Sequence, residues 1–331
     1  MPSLCRSAVL VSILFGSPAI AAVPAPQQTP DHYAQAGERV TIAPGRTLNL
    51  RCSGSGPRVV LLEAGANADS TVWFRVQPLL AGRAKVCAYD RAGYGFSDEG
   101  PAPRNVQADV DDLHALVTVA KFQTPLVLVG HSRGSNIVRR YGLQYPDEVA
   151  GLVLVDPPEQ GADGRLPEQW KRDGDAARVQ RNAFLDACAK AAEAGTLDVA
   201  DGALKACLRE APSWQSAKVA KAARANKLKP AYWRTLRSEL EGNAALFADP
   251  VPADESYGTI PVVVLTSPQD FPGVPDDVRR AMQAAREQTQ ARLAASSTRA
   301  RRVAVVDTSH DIELDQPQAV ADAVLSVLDN R

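Results

Sequence analysis

The chain has 331 residues, of which 45% are hydrophobic, and a formal net charge of −1 at pH 7. This length can hold one large domain or a domain with an insertion, and the apolar content is ample for a hydrophobic core. A net charge so close to zero gives no electrostatic reason to expect nucleic acid or an anionic membrane surface as a partner.

The first 21 residues have the three parts of a secretory signal peptide. Arg6 provides a basic start, residues 8–15 form a short apolar core, and residues 19–21 read A-I-A, an A-x-A cleavage site. That core is too short to span a bilayer, and no later segment is apolar for long enough to do so. We therefore expect a periplasmic or secreted protein in which a linker over residues 22–37 follows the cleaved peptide.

Four cysteines remain after the predicted signal peptide: Cys52, Cys87, Cys188 and Cys207. An even number of cysteines in an exported chain indicates two disulfides, although four cysteines allow three different pairings. No C-x-x-C motif or matching histidine spacing accompanies them, so we expect no metal site.

Apolar runs rich in branched residues alternate with helical patterns through the first half of the chain. Strands are predicted near 39–42, 47–52, 58–65, 84–89, 125–129 and 151–155, and helical patterns over 71–80, over 106–117 and after the fifth strand. Strands that alternate with helices imply an α/β fold with a mainly parallel sheet.

The alternation stops near residue 159 and resumes near residue 258. Residues 159–257 contain helical stretches rich in Ala, Lys, Arg and Glu, without a convincing strand. After them we predict a strand over 261–266, a helix over 276–295, a strand over 302–306 and a last helix from Gln318. The pattern predicts a core made of residues 38–158 and 258–331, with residues 159–257 inserted as a helical cap between strands six and seven.

Residues 130–134 read Gly-His-Ser-Arg-Gly, directly after the fifth predicted strand and directly before a helical pattern. Strand, sharp turn and helix are the context that the G-x-S-x-G nucleophile elbow requires. The turn forces Ser132 into a strained backbone conformation, so its neighbours must be small, as Gly130 and Gly134 are. The serine hydroxyl then stands at the carboxyl edge of the sheet, beside the positive end of a helix.

Two further motifs accompany the elbow. Residues 89–97 read Y-D-R-x-G-x-G-x-S, and Ser309-His310 is followed by L-D-Q-P over residues 314–317. With these motifs, the chain resembles the α/β-hydrolase-fold superfamily of serine esterases, lipases and aminopeptidases over roughly residues 38–330, apart from the cap. The resemblance implies a mainly parallel eight-stranded sheet flanked by helices, and an enzyme that uses no cofactor.

A serine hydroxyl becomes a useful nucleophile only when a neighbouring base takes its proton. The resemblance assigns this base to His310, in the loop after the last strand. Two aspartates compete for the role of the acid that orients the histidine. We favour Asp270, a few residues after the seventh strand, and keep Asp156, directly after the sixth, as the alternative.

The resemblance also places an oxyanion hole on the backbone N–H groups of Ala66 and Arg133. Members of the superfamily usually have His-Gly at the turn after the third strand, where this chain has Glu63 in place of the histidine. We expect Glu63 to be a structural partner of a nearby donor. Serine at the elbow argues against the dehalogenase and epoxide-hydrolase relatives, which form their ester intermediate through an aspartate.

The resemblance bears on the disulfides as well. In the superfamily the second strand runs beside the fourth, so Cys52 and Cys87 could face one another across the sheet. Cys188 and Cys207 are 19 residues apart on what look like consecutive cap helices, a spacing that suits a bridge within a helical hairpin. We therefore expect one bridge in the core and one in the cap.

These observations predict an exported serine hydrolase that cleaves a small ester, thioester, lactone or amide through an acyl-enzyme. The expected partner is a small-molecule acyl substrate, and the sequence does not indicate an oligomeric state. The alternative is a catalytically silent member of the superfamily that binds a ligand or a partner through the same pocket.

Overall fold

The computed structural model describes residues 27–199 and 201–329. Its helices are arranged around a single eight-stranded sheet. The predicted signal peptide and the first residues of the predicted linker lie outside the described residues. In chain order the strands are β1 (Glu38–Ala43), β2 (Arg46–Ser53), β3 (Val59–Glu63), β4 (Lys85–Tyr89), β5 (Leu126–His131), β6 (Val149–Val155), β7 (Val262–Thr266) and β8 (Ala300–Ala304). Their spatial order is β1-β2-β4-β3-β5-β6-β7-β8.

Strand direction follows the predicted α/β pattern. β2 pairs antiparallel with β1 and with β4, and every other neighbouring pair is parallel. The inner strands β3 to β7 are buried, which explains why they read as apolar runs rather than as alternating ones, whereas the edge strand β8 is largely exposed. The predicted mainly parallel sheet is confirmed.

Nine α-helices accompany the sheet in the described part of the chain. They are α1 (Val76–Leu80), α2 (Val106–Val119), α3 (Arg133–Gln144), α4 (Glu168–Glu193), α5 (Ala217–Lys227), α6 (Pro230–Ala248), α7 (Asp276–Ala294), α8 (Ile312–Asp315) and α9 (Pro317–Asp329). Successive residues of a strand point to opposite faces. Val60 and Leu62 of β3 therefore join the apolar cluster that includes α1 and α9, whereas Leu61 joins the one that includes α2 and α3.

Two predicted elements differ from the structure in detail. The single helix expected over 71–80 is a 3-10 helix over Ser70–Trp73 followed by α1. Pro78 has no N–H to donate to the carbonyl of Phe74, so a continuous α-helix cannot form there. The last strand occupies Ala300–Ala304 instead of residues 302–306, because its register with β7 pairs Val262 with Ala300.

The cap follows β6 and precedes β7, as predicted. Its helices α4 and α6 pack on each other around a small apolar cluster that includes Leu185, Trp233 and Leu236. Since the cap has few apolar residues of its own, part of its stability must come from its contacts with the core.

Two disulfides have the pairing expected from the sequence. Cys52 and Cys87 are register partners on β2 and β4, with their Cα atoms 4.1 Å apart. In the cap, Cys188 of α4 is bonded to Cys207 of a 3-10 segment (Gly202–Leu208), with a Cα–Cα distance of 6.0 Å. Within the described ranges, no helix has both the length and the apolar character needed to cross a membrane.

Candidate active site

Ser132 stands in the tight turn between β5 and α3. Its backbone has φ 49° and ψ −122°, a strained conformation for a residue with a side chain. The Ser132 N–H donates to the Val155 carbonyl at 2.8 Å and so ties the turn to β6. A Cβ atom on Gly134 would lie 2.6 Å from the Glu63 carbonyl oxygen, and one on Gly130 would collide with the backbone of Gly134. Both glycines of the motif are therefore required by close packing.

His310 is held by a carboxylate at the end of β6. Its Nδ1 lies 2.6 Å from Oδ2 of Asp156, whose side chain is fully buried. The same carboxylate accepts hydrogen bonds from the Ser267 N–H at 2.9 Å and the Ser267 hydroxyl at 2.7 Å, and pairs with Arg286. Burial acts to raise the pKa of Asp156, but these partners lower it below its usual 3.8. Asp156 is therefore charged at neutral pH.

This contact contradicts the preference for Asp270 as the orienting acid. Asp270 lies on an exposed loop four residues beyond β7, whereas Asp156 directly follows β6. In the sheet β6 lies between β7 and β5, and β5 leads directly into Ser132. The His310 side chain contacts the acid at the end of β6, so the alternative acid named from the sequence is the one in contact.

The loop after β3 runs beside the serine. A Cβ atom on Gly65 would lie 3.3 Å from the Cβ of Ser132, which brings Ala66 close to the elbow. Arg91 donates to the carbonyls of Ala64 and Gly65, at 2.6 Å each. The other candidate donor, the Arg133 N–H, is in the first turn of α3, where backbone N–H groups have no acceptor within the helix.

Glu63 occupies the position at which the superfamily usually has histidine, and it has the structural partners expected of it. Its buried carboxylate pairs with Arg91 at 2.7 Å and accepts a hydrogen bond from the Tyr89 hydroxyl. Glu63 therefore supports the loop indirectly, because it positions the same guanidinium that binds the two loop carbonyls.

A cavity of about 850 Å³ lies between core and cap over this edge of the sheet and is partly open to solvent. Ser132 and His310 line its floor, and Trp214, Lys227 and Tyr232 contribute to its cap wall. The arrangement therefore gives a small molecule access to the serine from beneath the cap.

The family model described as the alpha/beta hydrolase fold matches residues 57–317, most of the chain. The chain belongs to the α/β-hydrolase family. An uncharacterized protein of Mycobacterium tuberculosis is 35% identical over 106 residues, which are 32% of this chain and 30% of that protein. A Burkholderia fluoroacetate dehalogenase is 35% identical over 115 residues, 33% of this chain and 37% of the relative. The chain thus spans only about a third of the length of these curated relatives.

The likeness to solved structures extends over more of this α/β-hydrolase. An esterase from Thermogutta terrifontis has a TM-score of 0.58 at 21% identity, and the match covers 88% of this chain and 98% of that chain. At this identity the likeness establishes the shared fold.

A second histidine of this α/β-hydrolase, His131, forms a buried pair that the sequence analysis did not find. Its Nε2 lies 3.0 Å from the His310 carbonyl oxygen and must donate to it, so Nδ1 carries a lone pair. That nitrogen lies 3.1 Å from Oε1 of the buried Glu313. Burial lowers the pKa of His131 to about 3 and raises the pKa of Glu313 well above its usual value. Burial therefore favours the neutral form of both groups.

Three side chains near the elbow resemble a metal-binding group. His131, Asp311 and Glu313 each offer one ligand atom within 4.8 Å of the others. Burial favours the neutral forms of His131 and Glu313, and a protonated carboxyl is a poor metal ligand. His131 and Glu313 form a buried contact beside Ser132 at the wall of the cavity, and Asp311 is exposed next to them.

Proposed function

We propose that this α/β-hydrolase is a serine hydrolase that cleaves a small ester, thioester, lactone or amide through an acyl-enzyme. The observation that carries the proposal is the 2.6 Å contact between His310 Nδ1 and the buried, charged Asp156, at an edge where His310 and Ser132 line one cavity. A charged acid holds the imidazole with Nδ1 protonated, which leaves Nε2 free to accept a proton.

In the proposed reaction His310 takes the hydroxyl proton while Ser132 Oγ attacks the carbonyl carbon of the substrate. The negative charge that develops on the carbonyl oxygen is stabilised by the N–H groups of Ala66 and Arg133. The tetrahedral intermediate collapses to the acyl-enzyme when the bond to the leaving group breaks, and His310 gives its proton to that group. Water, activated by the same histidine, then releases the acid and regenerates Ser132.

The identity of the elbow residue favours acyl transfer over the chemistry of the dehalogenase relative. The nucleophile position holds serine, whereas dehalogenases and epoxide hydrolases of this fold use an aspartate there. A serine alkoxide formed by proton transfer to His310 suits attack on a carbonyl carbon. We therefore assign carbonyl substrates to this site.

Export forms part of the proposal. The A-x-A site after a short apolar run predicts a cleaved signal peptide, and two disulfides are compatible with an oxidising compartment. Intact-mass analysis of protein from the producing cell's extracytoplasmic fraction should give a chain that begins directly after residue 21. A full-length chain in the cytoplasm would overturn export and leave the chemistry open.

A fluorophosphonate probe separates the hydrolase from the alternative, a silent binding protein. We expect covalent labelling at Ser132 and turnover of at least one member of a panel of short-chain esters, lactones and aminoacyl amides. Ser132→Ala should abolish labelling, and either Ser132→Ala or His310→Ala should lower kcat by several orders of magnitude, because a triad acts as a unit. Near-normal turnover in either variant, or labelling elsewhere only, would contradict the proposal.

A further inference from the structure

Glu239 on cap helix α6 places its carboxylate in the core, below the edge of the sheet at which Ser132 lies. The side chain is buried, and its Oε1 accepts a hydrogen bond from the Asn67 N–H at 3.1 Å. Its Oε2 lies 3.2 Å from Nη2 of Arg91 and 3.6 Å from Nη1 of Arg133. Glu239 does not line the cavity, so its carboxylate is not positioned to bind substrate.

The three partners of Glu239 adjoin both halves of the proposed oxyanion hole. Asn67 directly follows Ala66, and Arg91 binds the carbonyls of Ala64 and Gly65. Arg133 carries the second N–H on its own backbone, and its buried side chain also pairs with Asp109 at 2.6 Å. The Glu239 carboxylate thus contacts the loop that carries the Ala66 N–H, and it also contacts Arg133, which carries the second N–H.

The position of α6 against the core is closely constrained. Gly93, in the turn that follows β4, packs so tightly on Thr235 that a Cβ atom at residue 93 would collide with the threonine side chain. One turn beyond Glu239 on α6, Asn243 accepts a hydrogen bond from Arg133 Nε at 2.9 Å. These contacts on either side of Glu239 hold its carboxylate in place.

We infer that Glu239 is a positioning residue through which the cap assembles the oxyanion hole. The inference rests on the proposed function. Its carboxylate fixes the loop at Asn67 and neutralises two buried guanidiniums, so that the N–H groups of Ala66 and Arg133 keep their mutual orientation. Without it, Arg91 and Arg133 lose a shared counter-charge in a buried site, which forces their side chains and the bound loop to rearrange.

The test compares Glu239→Ala and Glu239→Gln with Glu241→Gln as the matched control. Glu241 lies two residues along the same helix but is exposed and pairs only with Arg237 among the described carboxylate contacts, at 2.7 Å. Each variant is assayed with the best ester of the panel, with kcat calculated per site titrated by the fluorophosphonate probe. A boronic acid, which forms a tetrahedral adduct with the serine, reports on the oxyanion hole separately.

For Glu239→Ala we expect kcat per titrated site to fall about 10- to 100-fold, less than the loss of a donor itself would cause. The KM should change less than about threefold, and boronate affinity should fall in parallel with kcat. Glu239→Gln keeps an acceptor for the Asn67 N–H but loses the charge, so its loss should be smaller. Glu241→Gln should stay within about twofold of the unmodified protein.

Several outcomes would overturn the inference. In Glu239→Ala, each of three results would do so. The first is a kcat per titrated site within twofold of the unmodified protein, the second is a change in KM without a change in kcat, and the third is an unchanged boronate affinity. A structural role alone would lower the number of titratable sites and leave kcat per site intact. If Glu239→Ala does not fold, the same readouts on Glu239→Gln decide. An unmodified protein that neither turns over the panel nor binds boronate would instead overturn the proposed function, and the inference with it.

Discussion

The Asp156 side chain illustrates how the surroundings of one residue define its chemistry. Its carboxylate is fully buried, yet two donors from Ser267, the Arg286 guanidinium and His310 stabilise the charge. A buried carboxylate with this number of partners is expensive to remove, because each donor would lose its acceptor. The same contacts keep it aligned with the imidazole.

Asp156→Asn should therefore lower kcat/KM by about 10²- to 10⁴-fold, because an amide cannot hold the imidazole in the correct tautomer. Asp270→Asn is the matched control and should stay within about twofold, since Asp270 is exposed. Ester hydrolysis measures both, with circular dichroism as the check of folding. A large loss confined to Asp270→Asn would restore the preference drawn from the sequence.

Glu313→Gln should change the pH dependence of stability. Burial raises the pKa of Glu313 in the folded state, so the folded protein keeps a proton that the unfolded chain releases above about pH 4.5. The free energy of unfolding of the unmodified protein therefore loses up to about 1.4 kcal/mol per pH unit from this group as pH rises towards the folded pKa. Glutamine has no carboxyl proton to lose and has nearly the same size and shape as glutamate. The variant should thus be more stable at pH 7 and lose that advantage near pH 4.

Urea unfolding from pH 4 to pH 8 measures this difference. A stability difference between the two proteins that does not vary with pH would show that Glu313 does not hold a proton in the folded state. The contribution of His131, whose folded pKa is lowered, is lost as pH falls below about 6.5 and is common to both proteins.

At the scale of elements, the elbow depends on close contact between α3 and the loop after β3. Gly134→Ala would place a Cβ atom 2.6 Å from the Glu63 carbonyl oxygen and 2.7 Å from that of Ala64. Because backbone atoms must move to accept it, we expect a loss of about 1–3 kcal/mol in the free energy of unfolding, and a lower kcat. Chemical denaturation and ester hydrolysis measure the two effects.

Gly174→Ala is the control for this substitution. Gly174 is also helical, in α4, but apart from the adjoining helix backbone a Cβ atom there would meet no atom within 4 Å. The added methyl group should stabilise the helix by up to about 1 kcal/mol. If Gly134→Ala behaved like Gly174→Ala, the close contact at the elbow would not constrain the loop.

The cap disulfide is a second feature that stabilises the structure at the scale of elements. Cys188 and Cys207 enclose a short loop with a sequence separation of 19 residues. Replacing both by serine should lower stability by about 2–4 kcal/mol, since the bridge restricts the unfolded chain. Non-reducing peptide mapping should find this bridge and Cys52–Cys87. A Cys52–Cys188 or Cys87–Cys207 linkage would contradict both pairings, and four free thiols would also weaken the proposal of export.

At the scale of the whole molecule, the structure restricts how freely the cap can move. The sequence predicts a separable lid in which substitutions change substrate range more than folding. Yet α6 contacts the core through the buried Glu239, through Asn243 and through Ser238, whose hydroxyl accepts a hydrogen bond from the Arg104 N–H at 2.7 Å. We therefore expect α6 to belong to the core's cooperative unit and the outer cap to be the mobile part.

Hydrogen exchange can test this division of the cap. Amides of α6 near Glu239 should be protected to nearly the same degree as those of β5, whereas the exposed first half of α4 should exchange much faster. The physical reason is that opening α6 would expose buried charges. Exchange of all of α4 to α6 as one unit, well before the sheet, would instead support the independent lid.

Local patterns of the chain determine much of this protein. They predict the G-x-S-x-G turn at Ser132, the position of His310 after the last strand and the insertion before β7. The reason is that strand, turn and helix signals act between residues close in sequence. Family resemblance adds the neighbouring strands that carry Cys52 and Cys87. The fold and the candidate nucleophile follow from these features.

Other features are decided only in the tertiary structure. The choice of Asp156 over Asp270 depends on a contact with His310 across 154 residues of chain. The raised pKa of Glu313 depends on burial, and the link from Glu239 to the proposed oxyanion loop spans 172 residues. Ionisation and pairing of buried groups are set by whichever atoms the fold brings within a few ångströms, and no local pattern of residue types encodes that proximity.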